Sequence, residues 1–534
     1  MTLPTQVIAD GESLTIESLV AVARHNAPAV LIQDPAVLRV IQESRRFYIQ
    51  SGILAYGDNM GVGANVGKIL PKERRREFQV KLTDALACGI GKELAPEVSR
   101  GAMLLRANSF VKEGCSAIGL DKIKKILELL NAGVVPVMYE DGSVCASGDL
   151  IPLASIAQLI QGKGEVWHDG QVRHAADVFT ELGIEKLTLQ EKEGLALVNG
   201  TSTSTAMAAL ALYDAEYLVQ LSLCCEALAI EALGGLTDHL DPFVHRVKNH
   251  PGQRDAAAAL RRYLDGSRLT RNIDDLRARV SATAAGAIDV VETDIELQDP
   301  YCLRCSSQVL GPTLELLGSV VRPWIEREMN SANDNPIVNL EQRKVHHTGN
   351  FSGFYVALGM DILRLAMFNT ADLLNALKAR LLNERYNRGL GASLAGKEPG
   401  LNSGLKGLDI ATTDLFGKIC FLANPMSIHR RVTESYNQDV VSFGFAAAEN
   451  TLALNEEFRR LVAALLVILS QAVDNRSGGG GKAGTTLAPR TREVYEYVRG
   501  KVPYVAEDRP LRGEIETILK SIRAREIPID WGGL

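Results

Sequence analysis

Three consecutive small residues, Ala146-Ser147-Gly148, carry the most unusual chemistry open to this chain, inside Val144-Cys145-Ala146-Ser147-Gly148-Asp149-Leu150. Gly148 has no Cβ to block its amide nitrogen from approaching the Ala146 carbonyl, so a tight loop here permits ring closure. Loss of water from the ring and from the Ser147 side chain would leave an exocyclic alkene conjugated to a ring carbonyl. No ordinary side chain offers such an electrophile. A second candidate is Arg304, in Gln298-Asp299-Pro300-Tyr301-Cys302-Leu303-Arg304-Cys305. A planar guanidinium grips a carboxylate through two parallel charge-assisted bonds, which fixes its orientation as an ammonium would not. Tyr56 opens Tyr56-Gly57-Asp58-Asn59-Met60-Gly61-Val62-Gly63, whose glycines mark an irregular loop of the kind that carries function. Asn199-Gly200-Thr201 precedes a long apolar segment and reads first as a helix cap. Two further motifs are set aside. Cys302 and Cys305 have no second Cys/His pair at finger spacing, and the glycine run at 477–484 lacks the ending of a phosphate loop, since Lys482 is followed by Ala483.

The elements that must position these residues are mostly helices. Leu38, Ile41 and Tyr48 recur at helical spacing over 35–50, and Leu82, Ala85 and Leu86 share a face over 78–91, which ends at glycine. Helices continue through 98–130, where Asn131-Ala132-Gly133 and Pro136 stop them. Asp169-Gly170 signals a hairpin turn near 165–171. Beyond the alanine- and leucine-rich segment that reaches about 233, long helices are expected over 310–330, 353–383 and 440–473. The fold class is therefore mainly α: a long helical bundle at 201–475, a smaller mixed N-terminal region at 1–200 that carries both loops, and a helical tail at 476–534.

With 534 residues, 46% of them apolar and 23% charged, the chain can bury a large core and exceeds one ordinary domain. A formal net charge of −6 gives no general electrostatic reason to bind nucleic acid or an anionic membrane. The first fifteen residues lack a basic region followed by an apolar one, and the best apolar run noted, 461–473, is shorter than a membrane span. Eight cysteines without regular spacing fit buried thiols in a reducing compartment, so a cytoplasmic location is expected.

Taken together and in order, these words resemble the histidine, phenylalanine and tyrosine ammonia-lyases and the related aminomutases, which make a methylidene-imidazolone (MIO) cofactor from their own Ala-Ser-Gly. The resemblance runs from Tyr56 to Ser442 and includes His250-Pro251-Gly252-Gln253, Ser331-Ala332-Asn333-Asp334-Asn335-Pro336, Gly349-Asn350-Phe351 and Asn437-Gln438-Asp439-Val440-Val441-Ser442. It implies an ammonia-lyase fold, a homotetramer whose active sites draw on more than one subunit, and MIO formed from Ala146, Ser147 and Gly148. It also implies roles. Tyr56 matches the base that takes the substrate's β-proton, Asn199 the asparagine that bonds the cofactor carbonyl, Arg304 the carboxylate clamp, and Tyr301 a tyrosine beside the substrate. Phe351 matches a residue packed by the cofactor, Asn437 and Gln438 a pair that holds the assembly, and Ala85-Leu86 the substrate-selecting pair. Departures stand at Asp58, Met60, Lys406, Asp409 and Lys418; the last falls where relatives carry a glutamate near the substrate.

The chemistry implied is elimination of ammonia from histidine or an aromatic L-amino acid. Such a reaction needs an electrophile for the amine, a base at the β-carbon and a clamp on the carboxylate. Because free tyrosine titrates near pH 10, the setting of Tyr56 is expected to favour its phenolate. Two alternatives use the same residues. A 2,3-aminomutase would return ammonia to the β-carbon, and an ergothioneine-type elimination would release trimethylamine without MIO, with Lys418 facing the ring and Asp58 near the cationic nitrogen. A small-molecule amino acid is the only partner implied beyond the subunits themselves, with no metal, nucleotide, nucleic acid or membrane.

Overall fold

A computed structural model describes residues 3–429, 431–481 and 483–529, so Lys482 lies outside the described residues. The fold is mainly α-helical, with short strands confined to pairs and one three-stranded sheet. Contacts divide the chain into two units. The first comprises Met1–Tyr213, Val320–Ile362 and Pro425–Leu452, and the second Asp214–Ser319, Leu363–Asn424 and Ala453–Leu534.

The first unit is organised on the helix Pro96–Val111, in which every residue from Val98 onward is buried. A helix enclosed on all sides loses its amphipathic stripe, and its few polar side chains must find partners inside the protein. Arg100 does so at Val22 O and Leu130 O, and Asn108 at Met329 O. Against it pack Ile16–His25, Leu120–Asn131 and the strand Val7–Ala9, which pairs in parallel with Ala29–Leu31. The hairpin signalled by Asp169-Gly170 is present: Glu165–His168 pairs with Gln171–His174, and both turn residues have positive φ, 50° and 75°.

The second unit is built from helices, among them Pro251–Leu264, Ser306–Leu316 and Lys406–Leu422. The chain passes between units within the long helices Ser202–Ala232, Phe354–Leu382 and Gly444–Arg476, close to the long segments expected from sequence. Two expectations need correction. The helix anticipated over 78–91 runs from Arg75 to Leu86, where Ala87 leaves the helical region with ψ 65°, and Ile90–Glu93 is a strand paired with Tyr139–Asp141. The stretch Glu193–Ala232 is long and apolar enough to cross a membrane by composition, which the shorter run at 461–473 concealed, yet its most apolar window is wholly buried.

Candidate active site

Ala146 and Ser147 line a cavity of about 390 Å³ in the first unit, together with Tyr56, Asn199, Phe351, Asn437 and Gln438. Residues more than two hundred positions apart are thus gathered around Ser147. The loop that presents Ser147 is anchored at both ends. Asp149, fully buried ahead of the helix Leu150–Ile160, accepts from Ser143 Oγ at 3.2 Å and from Ser204 N at 2.7 Å, while Ser442 Oγ donates to Cys145 O at 2.8 Å. Burial pushes the Asp149 carboxyl above its usual range, and the Ser204 amide partly opposes that. Cys145 has φ +51°, a left-handed conformation that a non-glycine residue keeps only when its surroundings impose it.

Within the loop, Gly148 has φ +75°, and a Cβ there would stand 2.3 Å from Gly200 O. The approach of the two glycine-bearing loops therefore excludes any side chain at this position. Asp149 N donates to Gly200 O at 2.6 Å, and Asn199 Nδ2 donates to Ser147 O at 2.7 Å. If Gly148 N closed on the Ala146 carbonyl carbon, Ser147 O would be the carbonyl that the ring retains, so the Asn199 donor already sits on it. From the other side Gln438 Nε2 reaches Ser147 Oγ at 3.2 Å. The residues present therefore fit an MIO group. Ala146, Ser147 and Gly148 would form it, and Asn199 and Gln438 would hold it.

Tyr56 faces the same cavity, its Oη accepting from Gly63 N at 2.8 Å and its own N–H donating to His347 Nε2 at 3.1 Å. The expectation that its setting favours the phenolate is corrected in this single chain. Burial, the largest cause, and the Glu434 carboxylate push the phenol above its ordinary value, against the Gly63 amide and the Asn437 side chain.

Glu434 was not singled out from sequence as a site residue, although it stands three positions before Asn437-Gln438. Its Oε2 accepts from Gln438 Nε2 at 2.8 Å and from Asn437 Nδ2 at 3.4 Å. Glu434, Ser435 and Tyr436 all have positive φ, 50°, 52° and 66°, in a turn closed by Thr433 N to Gln438 O at 3.1 Å and Gln438 N to Thr433 O at 3.3 Å. Three successive non-glycine residues in the left-handed region form a strained turn, and that turn delivers Glu434, Asn437 and Gln438 to one wall.

Of the other expected site residues, Leu86 reaches the cavity and most lie elsewhere. Asp58 is 3% exposed and does not line the cavity; its Oδ2 accepts from Tyr48 Oη at 3.0 Å. Leu86 lines the cavity but Ala85 is exposed and does not, because the helix turns Leu82 and Leu86, four apart, to the same side. Tyr301, Arg304 and Lys418 belong to the second unit. There Arg304 Nε donates to Asp299 O at 2.8 Å and its guanidinium stacks 4.5 Å from the Tyr301 ring centre, while Tyr301 is 71% exposed. Lys418 pairs with Asp414 at 2.9 Å and Asp409 with Lys378 at 2.9 Å.

A profile of the family described as aromatic amino acid lyase matches residues 14–500. The tyrosine 2,3-aminomutase of Chondromyces crocatus is 35% identical over 95% of this chain and 94% of its own length. The histidine ammonia-lyase of Geobacillus thermodenitrificans (strain NG80-2) is 34% identical over 96% of each. Among solved structures, a tyrosine aminomutase from Streptomyces globisporus superposes with a TM-score of 0.92 at 32% identity, covering 98% of this chain and 97% of that one.

Proposed function

The chain belongs to the aromatic amino acid lyase family and is a carbon–nitrogen lyase, and we propose that it eliminates the α-amino group of histidine or an aromatic L-amino acid, giving ammonia and an α,β-unsaturated acid. One observation carries the reading: Asn199 Nδ2 lies 2.7 Å from Ser147 O at the edge of a cavity that Tyr56 also lines. An MIO group formed at Ala146, Ser147 and Gly148 would supply the electrophile that makes the amine a good leaving group.

The remaining roles fall to ordinary side chains. Tyr56 Oη takes the β-proton, and the Gly63 N–H that it accepts favours the phenolate. Glu434 opposes the phenolate while the cavity holds no cation. A substrate ammonium entering beside Glu434 offsets that charge, so binding itself draws Tyr56 toward the form that can act. Gln438 and Asn437 hold the Glu434 carboxylate in place, and Phe351 closes the apolar side. Arg304 is proposed to clamp the substrate carboxylate and Tyr301 to flank the substrate. The proposal includes a cytoplasmic homotetramer with sites drawn from more than one subunit, as the resemblance implies.

A second reading, a 2,3-aminomutase, is favoured by the similarity to the Chondromyces enzyme of that name, equal within a percentage point to that of the histidine ammonia-lyase. The trimethylamine-releasing alternative loses one of its two motivations in the burial of Asp58 away from the cavity. Mass-spectrometric product analysis with histidine, tyrosine, phenylalanine, DOPA and ergothioneine tests all three. An unsaturated acid with free ammonia supports the lyase, a β-amino acid the mutase, and trimethylamine would overturn both.

A further inference from the structure

Arg106 is fully buried in the helix Pro96–Val111, and neither a solvent contact nor a salt bridge among the described residues explains it. Its guanidinium instead makes bonds through all three nitrogens to the segments behind the Ser147 loop. Nε and Nη2 donate to Ala196 O at 3.1 and 2.5 Å, Nη2 also to Asn199 O at 3.2 Å, and Nη1 to Asn333 O at 3.1 Å and Asn333 Oδ1 at 2.7 Å. Asn333 Oδ1 accepts from Thr201 N at 3.3 Å as well, so the Asn199-Gly200-Thr201 turn is held on both flanks. The Phe110 ring, 4.5 Å away, covers the guanidinium face. A Cβ on Gly200 would stand 1.9 Å from Nη1, so the turn and the arginine are fitted to each other without clearance.

That turn acts on Gly148 through the two peptide planes that flank it. Asn199 Nδ2 holds the carbonyl of the Ser147–Gly148 plane, and Gly200 O holds the amide of the Gly148–Asp149 plane. The first plane sets the Gly148 φ of +75° and with it the direction of the amide nitrogen, and the second plane fixes its ψ. We propose that Arg106 is a positioning residue for ring closure at Ala146-Ser147-Gly148, acting through the Asn199-Gly200 turn; this rests on the MIO reading above. In that closure the Gly148 N–C bond to Ala146 forms and the Ala146 oxygen leaves with two hydrogens as water. The Ser147 Cα hydrogen and Oγ–H leave as a second water, so no oxidant or reductant is required. Burial lowers the guanidinium pKa to about 10, with Asp334 and Asp149 opposing, which leaves the group charged near neutrality. A lysine keeps the charge but cannot reach Ala196, Asn199 and Asn333 in one plane.

The test is the intact mass of freshly purified full-length protein, compared among wild type, Arg106→Lys, Arg106→Gln and Asn333→Ala, with helix content followed by circular dichroism. Folded Arg106→Lys should show the fraction of chain that has lost two waters reduced about tenfold or more, because only the planar fork is missing. Asn333→Ala, which removes one acceptor of the fork, should show a smaller but measurable reduction below wild type, and it keeps the test readable if both arginine variants fail to fold. Complete two-water loss at the wild-type rate in a folded arginine variant, or in Asn333→Ala, would overturn the role. Wild-type protein at its full encoded mass would instead overturn the MIO reading and this inference with it.

Discussion

Asn199 Nδ2 and Ser147 O lie 2.7 Å apart, joining the start of the helix Ser202–Ala232 to the loop before Leu150–Ile160. A donor fixed on that carbonyl withdraws electrons from whatever is conjugated to it, and costs no reorganisation during reaction. Asn199→Ala should therefore lower kcat by about 10²–10³, the usual loss for a preorganised donor of this kind. Steady-state kinetics on protein whose mass shows a matured loop checks this. A loss confined to KM would mean that the bond only aids binding.

Glu434 raises the Tyr56 phenol, so Glu434→Gln should lower it. With Tyr56 as the proposed base, which acts when deprotonated, kcat/KM should rise with pH through its pKa in the free enzyme. The rising limb should move to lower pH in the variant. A limb that stays in place while the whole profile drops would leave Glu434 with a purely structural part.

If Arg304 clamps the substrate carboxylate as proposed, Arg304→Lys should lower kcat/KM by about tenfold or more, corresponding to roughly 1.4 kcal/mol of lost alignment, since lysine lacks the bidentate geometry; unchanged kinetics in correctly folded protein would reject the role. A mixing experiment extends the point to the subunits. If sites are shared in a homotetramer, inactive Tyr56→Phe and Arg304→Met chains refolded together should recover turnover that neither shows alone. No recovery in mixed assemblies would require each site to come from one chain.

Lys192 and Asp334 form an ion pair at 2.7 Å with both side chains at 0% exposure, and Asn335, the next residue, lines the cavity. Removing one partner leaves the other charge buried and unpaired, so Asp334→Ala should cost about 3–5 kcal/mol in denaturant unfolding. A change below about 1 kcal/mol would mean that water reaches the site.

Much of this was legible in sequence because it is local. The Ala146-Ser147-Gly148 loop, the Asp169-Gly170 turn and the helix Pro35–Ser51 depend on residues a few positions apart. The cavity wall was less so. Ala85 and Leu86 are adjacent, and only the helix phase, which pairs Leu82 with Leu86, shows that one of them turns away. Asp58 lies in the expected loop, yet Tyr48 in the preceding helix captures it at 3.0 Å. Glu434 reaches the site through a left-handed turn that no propensity announces, and Arg106 finds its acceptors up to 227 residues away. Lys418, a polarity change that drew attention in sequence, sits half-exposed beside Asp414 one turn earlier.

The most direct measurement is the intact mass of the purified, active wild-type chain. Ring closure at Ala146-Ser147-Gly148 and dehydration of Ser147 should leave it about 36 Da lighter than the encoded sequence, the mass of two waters. A fully active chain at its encoded mass would contradict the proposal that an electrophile built from Ser147 drives the elimination.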